Sequence, residues 1–128
     1  MIMMQCVNAY MAVQTLMDRE MDYQTAYALV CLKKQLQGPV EFFQKEERRL
    51  MQEYAARDEQ GGIVWKEDGR FTLRDNLAAE EYERKRRELG MVEVQKEFIR
   101  LRIREPEKIR PVILEALEEF LIFEEGTQ

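Results

Sequence analysis

Apolar positions near the start of the chain recur every three or four residues. Met3, Cys6, Val7, Tyr10, Met11, Val13, Leu16 and Met17 fall on one side of a helix over residues 3–17. The polar stretch Asp18-Arg19-Glu20-Met21-Asp22 interrupts that pattern, and Asp22 can cap a second helix by accepting an orphan N–H of its first turn. The apolar positions then read Leu29, Leu32, Leu36, Val40, Phe43, Leu50 and Tyr54, with Glu47 occupying the place between Phe43 and Leu50. Their steps alternate three and four, the heptad seam of a coiled-coil-like helix that packs lengthwise on a partner. The pattern predicts one long helix from about Thr25 to Asp58. Gly38-Pro39 lies inside it. Proline removes a ladder hydrogen bond and crowds the preceding turn. Because the seam keeps its phase on both sides, the favoured reading is a kink in one helix. A short break, with Pro39 in the first turn of a new helix, is the alternative.

Beyond Gly61-Gly62 the period changes. Ile63 and Trp65, then Phe71 and Leu73, alternate with polar or outward positions around an Asp68-Gly69 turn, which predicts a β-hairpin over 62–74. Asp75 or Asn76 can cap a third helix over 76–89 that Gly90 ends. Val92/Val94 and Ile99/Leu101/Ile103 each alternate, but out of phase with each other, so residues 91–104 read as a bulged strand or two short strands, with a helix as the alternative. Pro106 breaks the chain, and Pro111 opens a last helix over 111–122 before an acidic tail. The expected architecture is α+β and mainly α, in a single domain over 1–128. A long kinked helix packs on the N- and C-terminal helices beside a small antiparallel β-hairpin or sheet.

Composition narrows the function classes. At 128 residues, with 45% apolar and 35% charged positions, the chain can bury a modest core. No apolar run approaches the roughly 18 residues that span a bilayer, and the apolar N-terminus lacks a basic n-region, so cytoplasmic residence is the expectation. Cys6 and Cys31 each fall on an apolar helix face, which reads as two small thiols rather than a disulfide. The chain has no histidine, which removes Ser–His and Cys–His catalysis, the usual zinc sites and the commonest general base. Its paired glutamates sit on exposed helix faces, and no glycine loop is built to cradle phosphate. An enzyme, a cofactor and a metal site are therefore not expected.

The charges are nevertheless uneven. Between Arg84 and Arg110, ten Lys/Arg face five acids, whereas residues 111–128 carry five acids and no base. Arg84, Lys85, Arg86 and Arg87 form a run, and Arg100, Arg102 and Arg104 share one strand face. Either could meet phosphates. The overall charge of −5 ranks nucleic acid below a protein partner. Arg48, Arg49 and Tyr54, on the charged extension of the long helix, complete the candidate partner-binding set. The Met-rich first helix can cover the seam of the second, with any uncovered part serving an oligomer interface.

The order of these segments carries a resemblance. TAYALVCLKKQL leads into KEERRLMQEYAARDEQGG, a hairpin follows, then a helix ending in REL, an extended VEV and a terminal LEALEEFLIFEE. The chain resembles a family of small proteins encoded by bacteriophages and prophages of Gram-positive bacteria, most closely at residues 50–61 and 113–124. The helix–hairpin–helix order is also similar to prefoldin-like subunits, at the level of layout alone. The preferred expectation is a non-enzymatic accessory of phage or prophage origin (host cytoplasm or virion), acting in virion assembly or through another protein partner, and a homo-oligomer. An inhibitor of a host defence protein or nuclease is the second expectation, and a nucleic-acid-binding accessory the third.

Overall fold

A computed structural model describes residues 1–95, 97–104 and 109–124. The break expected at Pro106, the bases Lys96 and Lys108, and the tail beyond Glu124 lie outside the described residues, as does the side chain of Arg104.

Helix α1 spans Met3–Met17 and helix α2 spans Tyr23–Tyr54. Asp22 caps α2, its carboxylate accepting the Thr25 N–H at 3.4 Å. At 32 residues α2 is roughly 48 Å long, using a rise of 1.5 Å per residue. It runs unbroken through Pro39, so the two-helix alternative falls. The interruption is tolerated because Gly38 is exposed, with open space where a side chain would stand, while Leu36, Val40 and Phe43 remain buried on the other face.

The first half of α2 builds the core. Ala28, Leu29, Leu32, Leu36 and Val40 pack against Cys6, Ala9, Ala12, Val13 and Leu16 of α1. The alanines Ala9 and Ala12 allow the two helices to approach closely, and they were not part of the apolar stripe read from the sequence. Met11 and Met17, which were part of it, are exposed. Both cysteines are free thiols, Cys6 buried and Cys31 half-buried.

Beyond Tyr54 the chain leaves the helix about four residues earlier than its pattern predicts. Residues 55–58, 62–66 and 70–74 form an extended ribbon with antiparallel bridges Arg57↔Ile63, Trp65↔Phe71 and Ala55↔Leu73. The Ala56 N–H donates to the Thr72 carbonyl at 2.7 Å, Thr72 to Val64 at 2.8 Å, and Val64 back to Ala56 at 3.0 Å. Three segments thus close a ring of hydrogen bonds, and this closure draws residues 55–58 out of the helix. Gly61 and Gly69, at φ 82° and 87°, make the two reversals that other residues resist.

Helix α3 spans Asn76–Gly90, capped by Asp75 through the Ala78 N–H at 2.7 Å. Gly90 does not end it by adopting a left-handed conformation. Its last turn lies on Met4, whose Cε would stand 3.1 Å from an added Cβ. Residues 92–94 are extended and pair with the N-terminus, where Val94 donates to the Met1 carbonyl at 2.9 Å and Met3 to that of Val92 at 2.8 Å. This excludes the helical alternative there.

The C-terminal part corrects two expectations. Strand β1 (Leu101–Arg104) leads through helix α4 (Pro111–Leu117) to strand β2 (Leu121–Glu124), and the two strands pair in parallel, not antiparallel. A strand–helix–strand crossover returns the chain in the same direction, which makes parallel pairing the natural outcome. The helix expected over 111–122 accordingly stops at Leu117, and the apolar run Leu121-Ile122-Phe123 belongs to the strand. Helix α4 packs chiefly on α1, while α2 packs on α1, α3 and β1, so the C-terminal helix is not the principal neighbour of α2 as expected. Leu117, Phe120 and Leu121 nonetheless join the same core.

Candidate functional site

The second half of α2, the ribbon and α3 enclose a cleft of about 620 Å³. Its floor is apolar and aromatic, made by Met51 of α2, Phe71 and Leu73 of the ribbon, and Tyr82 of α3. Phe71 and Tyr82 meet edge to face at 5.3 Å between ring centres, and Tyr54 meets Tyr82 likewise at 6.5 Å. Trp65, at 57% exposure, stands at the edge. Arg48, Lys66, Arg70 and Arg86 supply the rim.

Among the described residues, only one carboxylate lines this cleft, and it is engaged. Glu47 accepts from Arg86 Nε at 2.9 Å, across 39 residues of sequence. The polar break that Glu47 makes in the seam of α2 is therefore filled by a cation from α3. The Arg86 guanidinium also lies 5.9 Å from the Phe43 ring centre. Further along α2, Lys85 Nζ lies 3.5 Å from Glu53 and 5.2 Å from the Tyr54 ring centre. Hydrogen bonding to the Tyr54 phenol, helped by Glu53 and opposed by desolvation, holds the Lys85 ammonium above its ordinary pKa. Burial, reinforced by Glu47 and Glu83 and opposed by Arg86, raises the Tyr82 phenol.

The candidate residues named from the sequence thus separate. Tyr54, Lys85 and Arg86 join α2 to α3. Arg48 lines the cleft and also the shallow groove it shares with Lys45, Arg49 and Gln52 on the outer face of α2. Arg49 pairs with Glu46 at 3.2 Å. Arg84 and Arg87 are exposed on α3. Arg100 does not point to a ligand. It donates to the carbonyls of Glu118 at 2.7 Å and Leu121 at 3.2 Å, tying β1 to the turn between α4 and β2. Arg102 is exposed on β1, and Arg104 ends that strand. Of these bases, Lys85 and Arg86 are engaged with α2 and Arg100 with backbone carbonyls.

Trp65, Lys66, Arg70, Phe71 and Tyr82 were not singled out as binding residues. In the sequence they read as hairpin alternation and helix periodicity, and only the closed ribbon and the packing of α3 bring them to α2. The bases that mix with aromatic rings in the lining of the cleft are Arg48, Lys66, Arg70 and Arg86. Among the described residues, no three His, Cys, Asp or Glu side chains are grouped to hold a metal ion, and no helix is long and apolar enough to cross a membrane. No family model, curated protein or solved structure matches the chain.

Proposed function

We propose that this chain is a non-enzymatic interaction protein that engages a protein partner through the distal end of α2, acting as a phage-type structural or assembly accessory. The observation that carries this reading is the cleft formed by α2, the ribbon and α3. Its Trp, Tyr, Phe, Met and Arg side chains are the types enriched where protein interfaces concentrate their binding energy. An apolar floor with a cationic rim suits a partner segment that presents an apolar anchor between acidic residues. The absence of histidine in the sequence, and the engagement of Glu47 by Arg86, leave this cleft without a free general base. The phage context comes from the sequence resemblance alone.

The test is capture by the tagged full chain. The wild-type chain is expected to retain a specific protein from a lysate of its host. The doubly substituted Trp65→Ala/Arg48→Glu chain, with an unchanged circular dichroism spectrum, is expected to lose it. Identical capture by both, or capture of nothing, would end the reading.

A further inference from the structure

Helix α2 carries a second seam on its outer side. At about 100° per residue, Tyr23, Tyr27, Lys34, Gly38 and Lys45 fall opposite the core positions Leu29, Leu36 and Phe43. Tyr27, Cys31, Lys34, Gly38, Glu41, Lys45 and Arg48 step by four and three in turn, the spacing of a helix that pairs lengthwise. Tyr23 and Tyr27 are 94% and 73% exposed, and Phe42, beside the seam, is 48% exposed. Gly38 relieves the clash that a side chain before Pro39 would make, and it also leaves the backbone bare at the middle of this side. The shallow groove along Lys45, Arg48, Arg49, Gln52 and Glu53, of about 530 Å³, lies toward the other end of the same side. Exposed aromatic rings thus precede Gly38, and a groove bordered by cations follows it.

We propose that this outer side of α2 pairs with the same side of a second copy, antiparallel, with the two-fold axis at Gly38. Each residue before Gly38 then faces the residue equally far beyond it in the other copy. Tyr27 faces Arg49 and enters the groove, where a phenol ring can stack on the guanidinium. Phe42 lies over Cys31. Lys34 of each copy meets Glu41 of the other along one edge of the interface, so the pair forms twice. Parallel pairing in register would instead set Lys34 on Lys34 and Lys45 on Lys45. The other charges are mostly spent within the chain: Arg49 pairs with Glu46 at 3.2 Å and Glu53 with Lys85 at 3.5 Å. Glu41, bonded by Gln37 at 2.8 Å, would stand between Lys34 of the second copy and Lys45 one turn along its own helix. Charge therefore sets the register, and burial of the tyrosine and phenylalanine rings supplies the affinity. So polar a seam gives a micromolar pair, not an obligate one. The contact lies outside the cleft, which it touches only at Arg48, and does not depend on what the cleft binds.

As the full-length protein is concentrated through the micromolar range, its sedimentation mass is expected to rise from one chain to two and stop there, because an isologous contact closes at two copies. Tyr27→Lys, which sets a cation against Arg49, should hold the mass at one chain. Lys34→Glu and Glu41→Lys each create two like-charge pairs and should weaken the dimer by roughly tenfold or more. Combined in one chain, the two reversals recreate the opposite-charge pairs and should restore association. Tyr27, Lys34 and Glu41 are all exposed, so the single chain should keep its fold, and an unchanged circular dichroism spectrum checks this. A single-chain mass at every concentration overturns the proposal, and so does a mass that climbs beyond two chains. Association that survives Tyr27→Lys, or that the combined reversal fails to restore, overturns it as well. Tyr27→Lys leaves the cleft intact and should still capture a protein partner, so either reading can fail without the other.

Discussion

From Ala28 to Val40, α2 buries five apolar side chains against α1 and the core that β1, α4 and β2 complete. From Phe43 to Tyr54 the same helix fully buries only those two end residues, and between them it carries Lys45, Glu46, Glu47, Arg48 and Arg49. The first half is held by a continuous apolar seam. The second is held by ring contacts, a cross-helix ion pair and the closed ribbon. A helix extended beyond its core in this way separates two tasks. The proximal half supplies stability, and the distal half supplies a surface whose side chains change at little cost to the fold.

The sharpest way to break this comparison is to delete matched apolar groups from each half. Leu32→Ala, at a fully buried position, should destabilise the chain by about 2–5 kcal/mol in urea unfolding. Leu50→Ala, half-buried in the distal half, should cost roughly 1 kcal/mol. Equal losses would show that the distal half is core as well.

A substitution at the junction should act in the opposite direction. Pro39→Ala restores an N–H that the ladder of α2 lacks, and it is expected to stabilise by about 1–3 kcal/mol. A loss of stability in thermal melts would mean that the proline sets a geometry both halves depend on.

The ion pair that fills the seam should be worth less. Glu47 and Arg86 side chains are 35% and 42% exposed, so solvent screens their attraction. A double-mutant cycle with Glu47→Ala and Arg86→Ala should give a coupling of about 1 kcal/mol or less, falling as salt is raised. A coupling several times larger would make this pair a principal support of the distal half.

The smallest effect expected is at alkaline pH. Tyr82 and Lys85 are both raised above their ordinary values of 10.0 and 10.5, so the folded chain holds their protons more tightly than the unfolded chain. The stability they contribute is full below those ordinary values and is lost as pH rises through the folded-state values. Melting temperature should therefore decline only as pH rises above about 10. Tyr82→Phe, which keeps the ring contacts, should reduce the decline, and an unchanged slope would remove Tyr82 as a contributor.

Much of the fold was legible in short-range pattern. The positions from Leu29 to Phe43 are buried as their spacing predicts, Asp22 and Asp75 cap the helices they precede, and the 62–74 hairpin turns at Gly69. These features depend on periodicity and backbone chemistry within a few residues. The candidate surface was legible only in fragments. Arg48 lines the cleft, but Arg100 is spent on backbone carbonyls, and Tyr54, Lys85 and Arg86 serve the α2–α3 contact. A basic residue looks the same in sequence whether its partner is solvent, a carbonyl or a carboxylate 39 residues away.

By itself, then, the sequence determined the helix-dominated class, the core stripe of α2, its caps and the charged extension, because local geometry decides which side chains share a face. Tertiary structure alone decided that residues 55–58 leave the helix, that β1 and β2 pair in parallel, and that Trp65, Phe71 and Tyr82 gather at one cleft. Each of these depends on hydrogen bonds or ring contacts between segments distant in sequence. Which distant segments meet is fixed by the closure of the ribbon and by the crossover through α4. Neither leaves a periodic trace in the chain.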